Sequence, residues 1–309
     1  MSGQPQLTPR RLSSRPDSEL LAADTAMGAV TLRVADLDAM TSYYRDGVRL
    51  TVQREEPGTG RRGARVVLGR LGVAVVVLEH APDLRRAGPH DAGLYHTAIV
   101  FQEKADLATA VHSVAVHHPR SFTGSSDHLV SQAFYFDDPE GNGVELYWDR
   151  ARTDWSWVHG LPQMAGQFLD PNAFLEEHLH LTGAADPVES AATVGHVHLS
   201  VGSTDTARTF YVDQLGFELV AEFPGAGIFV SAGGYHHHMA MNIWNSPNAG
   251  RRRPTLGLGL VRIEVPNPDD LGELNDRLRH HRVDTTHDGA ALHFDDPWGN
   301  TLRVAPAVS

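Results

Sequence analysis

The chain has 309 residues, a formal net charge of −12 at pH 7 and no cysteine. That length buries a sizeable core as two domains or one large one. The acidic balance argues against the basic face that nucleic-acid binding needs, and the absence of thiols excludes disulfides, thiolate metal sites and cysteine nucleophiles, which leaves histidine and carboxylate as metal-ligand types. No apolar run reaches the length of a membrane span. The N-terminal segment carries Arg10, Arg11 and Arg15 but no apolar stretch followed by a cleavage site. Residues 1–24 are therefore expected to form a disordered polar tail, and a cytoplasmic location follows.

In chain order, Ala29–Val34 alternates as a short strand and leads into a helix-like Asp36–Tyr44. Strands near Leu50–Gln53, Ala64–Leu68 and Val73–Leu78 follow. His96–Phe101 opens a second such unit, with a helix over Lys104–Val116 and a close in the phrase FDDPEGNGVELYW, residues 136–148. A linker over 151–193 contains Trp155, Trp157, Pro162 and a helix-like Asn172–His180. His196–Val201 opens a third unit, with a helix over Ser203–Tyr211 that places Tyr211 at the offset of Tyr44. Its strands lie near Phe217–Ala221, Gly227–Val230 and His238–Trp244. Leu260–Val265 opens a fourth, with a helix over Asp269–His280 and a close in FDDPWGNTLRVAP, residues 294–306.

These are four βαβββ modules, at about 27–80, 93–150, 194–245 and 255–306, a supersecondary repeat. One such unit cannot cover its own sheet face, so modules pair. The expected fold class is α+β, with four βαβββ modules paired into two half-open cups. The expected divisions are 25–150 for modules one and two, 151–193 for the linker and 194–309 for modules three and four. The two closing phrases differ at one strand position, Glu145 in the first and Arg303 in the second. A duplicated scaffold with a carboxylate in one copy points to a single asymmetric site. His112, His117, His118, His280 and His281 lie in polar segments and are expected at the surface.

Over about 27–306 this pattern resembles the vicinal oxygen chelate superfamily, which includes glyoxalases, bleomycin-resistance proteins and type I extradiol dioxygenases. The resemblance implies cups around a divalent metal whose ligands lie on first and last strands. The first-strand positions hold Ala29, His96, His196 and Leu260. With Glu145 this implies a His96, His196 and Glu145 ligand set. Such a triad leaves three adjacent positions open and suits Fe(II) binding both an organic substrate and O₂, with Mn(II) as the alternative. Zinc or nickel glyoxalase sites usually add a fourth protein ligand, for which Glu79 is the nearest candidate. Only a cup of modules two and three unites the set, leaving modules one and four as a metal-free cup.

Further residues follow from the same resemblance. Tyr135, ten before Glu145, matches a tyrosine that hydrogen-bonds a substrate oxygen. In GGYHHH, residues 233–238, His237 falls at the acid–base position. Strand alternation puts His236 and His238 on the opposite face, and both are candidate substrate contacts. The Asp127-His128 pair in SDHLVS borders the substrate. His198 shares a strand face with His196 and is a catalytic or supporting candidate. Together with LYHTA, residues 94–98, these motifs look most like the bacterial catechol-2,3-dioxygenase group. The implied activity is extradiol cleavage of a small aromatic diol by O₂ to a hydroxymuconic semialdehyde-type product. Hydroquinone cleavage, a glyoxalase-like isomerase and a metal-free binding protein are the alternatives. Neither a nucleic acid nor a membrane is an expected partner, and a homo-oligomer is left open.

Overall fold

The structure, a computed structural model, describes residues 8–9, 15–59, 63–180 and 190–307. Module one has strands Val30–Val34, Thr51–Glu56, Arg65–Arg70 and Val73–His80. Module two has Gly93–Phe101, Phe122–Asp127, Ser131–Asp137 and Gly143–Asp149. Module three has Ala192–Ser200, Glu218–Phe223, Gly227–Ser231 and Met239–Asn242. Module four has Gly257–Val265, Thr286–His287, Leu292–Asp295 and Thr301–Pro306. In every module the first strand pairs in parallel with the last and is crossed to the others by a helical segment.

The helices form for local reasons. Lys104–His117 buries Leu107, Ala108, Val111 and Val114, the three-and-four spacing of one helix face. Pro268–His280 starts with a capping box between Asn267 and Asp270 and carries proline in its first turn. The shorter helices of modules one and three are capped by Asp36 and Ser203 and then widen into π-type turns over Tyr43–Gly47 and Thr209–Gln214.

The modules nest. The first strands of two and three run antiparallel to each other and fuse both modules into one sheet, and those of one and four do the same in the second. Two curled sheets of an α+β fold result, the architecture the repeat predicts. Segments 25–150 and 194–309 do not close on themselves, because each gives one module to either cup. One continuous apolar core, from Val30 and Leu32 through Ile99 and Val197 to Val261, runs beneath both sheets.

One expectation is corrected. Of the tail expected to be disordered, Thr8–Pro9 adds to the edge strand Glu218–Phe223, and residues 15–24 pack on the body. Leu21 is buried in the core and the Arg15 guanidinium donates to the Val212 carbonyl at 2.7 Å. The remainder of residues 1–14 lies outside the described residues. The linker carries its expected helix, at Pro171–His178, which buries Phe174; Gln167 bridges to Asp127, and the module-three strand begins at Ala192.

The repeated phrase builds the same turn twice. Asp138 Oδ1 accepts from the Glu140 and Asn142 amides, and Asp296 Oδ1 from those of Trp298 and Asn300. The π-type turns deliver Tyr44 Oη to Asp138 at 3.1 Å and Tyr211 Oη to Asp296 at 2.9 Å. Consecutive modules are thus tied by a buried tyrosine–aspartate bond. Burial pushes the Asp138 carboxyl up to about 6, and Asp296 in the same direction. A folded pKa raised above the unfolded one contributes stability fully present below about pH 4, lost as pH rises through about 6. The loss is about 3 kcal/mol. Denaturant titrations should therefore show the stability advantage of the wild type over Asp138→Asn shrinking between pH 4 and pH 7. Tyr44→Phe should cost about 1–2 kcal/mol, because it removes one partner from a buried carboxyl.

Candidate metal centre and active site

The floor of the two–three cup is set by register. His96 lies opposite His198 and Ala98 opposite His196 across the central strand pair. On the other side Gly143 pairs with His96 and Glu145 with Ala98, and Tyr135 stands opposite Glu145. Directly paired residues share a face, so all of these point into one concavity. Ala98, fully buried, sits between His196 and Glu145, and its single methyl leaves the space the donors aim at.

Two glycines allow the strands to approach. A Cβ on Gly143 would stand 2.2 Å from the Tyr95 carbonyl oxygen and 2.9 Å from His96 Cβ. A Cβ on Gly195 would collide with the Tyr147 hydroxyl. Gly195 is also the extra residue of a bulge just before His196, and Tyr95 that of a second bulge just before His96.

His96, Glu145 and His196 converge, each offering a donor atom within 4.8 Å of the others. They are 8%, 3% and 2% exposed. Glu145 Oε2 lies 3.1 Å from His96 Nε2 and 3.2 Å from His196 Nε2. Two donors bound at right angles to one cation stand about 3 Å apart, so these separations are those of adjacent metal ligands. His96 Nε2 is buried yet makes no aligned hydrogen bond. An orphaned buried imidazole nitrogen costs about 1–3 kcal/mol, and a cation between the three donors removes that cost. Burial pushes His196 down to about 4, leaving a neutral imidazole. Burial by itself raises Glu145, but the flanking imidazoles hold it well below the usual carboxylate range. A carboxylate beside neutral imidazole is the donor state a divalent cation requires. The residues therefore fit a metal.

The triad lies in a cavity of about 1090 Å³. Tyr135 and His128 border it from module two. His128 Nδ1 faces the Ala165 carbonyl at 3.1 Å and so donates, which leaves Nε2 to accept from Tyr135 Oη at 2.7 Å. His237 borders it from module three, its ring centroid 4.0 Å from that of His196. Behind His237 runs a relay. Asp149 Oδ1 accepts from His236 Nε2 at 3.0 Å, so His236 Nδ1 is an acceptor and takes the His237 Nδ1 proton at 2.9 Å. His237 Nε2 is then the bare nitrogen. Burial, followed by the neighbouring histidines, holds the His237 pKa well down, so the ring is neutral. Tyr235 Oη donates to the second Asp149 oxygen at 2.6 Å and meets Tyr147 Oη at 2.7 Å.

His198 lines the cavity without joining the triad. Asn242 Oδ1 accepts from the Trp244 amide, so its Nδ2 is the group that donates to His198 Nε2 at 2.9 Å. Glu79 is far from any donor role, next to Arg65 in the other cup.

Two expectations for substrate contacts are corrected. Asp127 does not line the cavity, because Arg150 at 2.7 Å and the Leu129 amide occupy its carboxylate. His238 does not line it either, since its Nδ1 accepts from Ser231 Oγ and the Ala232 amide. His236 reaches the cavity but spends both nitrogens on Asp149 and His237. Alternation fails over 236–238 because the chain leaves strand geometry at Gly233 and Gly234, with φ of +60° and +70°. Tyr95, Phe223, Phe229, Trp244 and Asp149 were not singled out by sequence. The bulge that turns Tyr95 inward has no sequence signal, and the others come from separate strands and, for Trp244, from the turn after the strand ending at Asn242.

A model of the Glyoxalase/Bleomycin resistance protein/Dioxygenase superfamily matches residues 26–146 and 193–304, and the chain belongs to that superfamily. Catechol-2,3-dioxygenase of Bacillus subtilis (strain 168) is 32% identical over 267 residues, 83% of this chain and 88% of that protein. Within the superfamily the chain is thus an enzyme of the catechol-dioxygenase-like kind. Two solved structures share the fold. A protein of Bacillus subtilis subsp. subtilis str. 168 provisionally described as a dioxygenase has a TM-score of 0.62 at 15% identity, over 93% of this chain and 86% of that one. Glyoxalase I from Zea mays has a TM-score of 0.57 at 15% identity, over 92% of each chain. Among the described residues no helix is long and apolar enough to cross a membrane.

His96→Ala, Glu145→Ala and His196→Ala should each lose most of a divalent metal that the wild type holds at about one per chain, read by elemental analysis. Gly143→Ala should weaken metal retention while leaving all three ligands in the sequence.

Proposed function

We propose that the protein is an Fe(II)-dependent extradiol dioxygenase that cleaves a catechol with O₂ to a hydroxymuconic semialdehyde-type product. The observation that carries this is the convergence of His96, Glu145 and His196 at the floor of a cavity that Tyr135 and His237 flank from different modules. Among the described residues the donor group stops at three, which leaves adjacent positions for a diol and dioxygen together. A ferrous ion held there supplies the one-electron chemistry that couples an aromatic diol to O₂, and Mn(II) favours the same ligands.

The protein's own groups handle position and protons. His237 Nε2, bare because the relay from Asp149 fixes the tautomers, accepts a proton from a diol hydroxyl and returns it as the ring opens. Tyr135 Oη, its proton directed at His128 Nε2, presents its remaining lone pair to the other hydroxyl. Ala98 keeps the floor clear, and the Ala165 segment closes the rim beside His128. The bond next to the diol breaks and both atoms of O₂ enter the product, so catechol plus O₂ balances the semialdehyde acid without another reductant.

Protein loaded anaerobically with Fe(II), then given catechol and air, should consume one O₂ per catechol and turn yellow. No O₂ uptake from catechol or hydroquinone by fully loaded protein would overturn the proposal. An O₂-independent isomerisation of a hemithioacetal by the same sample would favour the glyoxalase alternative. His237→Phe should retain iron but lose roughly 10²–10⁴ in turnover, whereas Tyr135→Phe, which removes one hydroxyl, should lose less.

A further inference from the structure

The cavity is far larger than the reaction it is proposed to house. At about 1090 Å³ it reaches the top of the roughly 300–1,000 Å³ range of pockets for drug-sized ligands. A bare catechol has eight heavy atoms and would fill a small part of it.

The extra space has a definite chemistry. A chain of ring contacts leaves His237 and returns to His96. Phe229 lies 5.2 Å from His237, Phe223 lies 5.7 Å from Phe229, and Trp244 lies 6.3 Å from Phe223. Tyr95 lies 5.2 Å from Trp244 and 5.4 Å from His96. Several of these pairs are edge-to-face, which leaves π-faces and edges to meet another ring. The wall is fixed in place: the Asn242 side chain holds the Trp244 amide at 3.0 Å and His198 at 2.9 Å. Trp244 nonetheless remains 45% exposed.

Charge narrows the ligand further. Glu145 and Asp137 line the cavity, and among the described residues no lysine or arginine does. A carboxylate on the substrate's substituent would lose its water and find no cationic partner there.

We propose that the site takes an uncharged catechol bearing a large apolar substituent, aryl in kind, which lies on the aromatic wall with Trp244 as its principal contact. For the diol end this rests on the ring-cleavage function above; for the substituent it rests on the wall and the charges lining the cavity.

The test compares kcat/KM of the Fe(II)-loaded protein for catechol, 3- and 4-phenylcatechol and 3,4-dihydroxyphenylacetate. At least one phenyl isomer should exceed catechol by about tenfold, and the carboxylate should fall about tenfold below it. Trp244→Ala should reduce the phenyl-to-catechol ratio at least about fivefold, with circular dichroism confirming an intact fold. A second arm omits metal and turnover. Metal-free protein titrated calorimetrically with 4-phenylphenol should bind saturably, and Trp244→Ala should weaken that binding at least about fivefold.

Cleavage of catechol and 3,4-dihydroxyphenylacetate as fast as the phenylcatechols would overturn the proposal and leave ring cleavage standing. So would an unchanged phenyl preference in Trp244→Ala. Saturable, Trp244-dependent binding of 4-phenylphenol by a protein that cleaves no diol would support the aryl seat while the ring-cleavage function fails.

Discussion

The antiparallel pairing of Gly93–Phe101 with Ala192–Ser200 is the constraint on which the rest depends. It sets one histidine-bearing strand against another, and two bulges tune which side chains face the concavity. Strand side chains alternate with period two, so a slip of one residue would carry His96 or His196 to the opposite face. The register is held from both flanks: Glu145 arrives through pairing with Ala98, and the Met239–Asn242 strand holds Val197 to Ser200. Val197, between His196 and His198, and Ile99, next to Ala98, face the common core. Packing and ligand placement thus select the same register.

The metal-free protein carries a cost at this floor. Glu145 is a buried carboxylate whose nearest neighbours are imidazoles, and His196 is held neutral by its own burial. A desolvated anion without a full positive partner is unfavourable by several kcal/mol. The related cup shows the other outcome of the duplication. There Ala29, Leu260 and Arg303 occupy the corresponding positions, and Ala29 joins Val67 and Val77 in a small apolar cluster. One copy can satisfy ordinary packing because the other holds the donors.

Much of this was legible in the sequence, for reasons that can be named. Period-two strands and the Asp-Pro-x-Gly-Asn turn have strong local signals, so four modules and their closing turns could be read directly. The candidate donor set of His96, Glu145 and His196 came from the family resemblance, which says which strand positions of each module carry ligands. Less local features could not be read. Tyr95 turns inward through a bulge formed with a distant strand. His236 and His238 broke alternation where two glycines at positive φ take the chain out of the sheet. Asp127 was drawn off by Arg150, a partner more than twenty residues away. Within the 151–193 segment the helix was legible but its packing was not, since Leu169 and Phe174 carry core-facing side chains that a polar composition conceals.

The nested order of the modules also has a consequence in time. Modules two and three are neighbours along the chain, so their sheet can close once residues to about Asn242 have been synthesised. Module one emerges first, yet its first strand pairs with Gly257–Val265, near the opposite end. Until that strand appears, Val30–Val34 presents an unpaired apolar edge. Such long-range strand pairing closes slowly, and exposed edges invite association with other chains. The buried Tyr44–Asp138 bond offers the waiting module an early attachment to module two. The reactive half of the molecule can therefore be complete before the half that shelters its first-made strand.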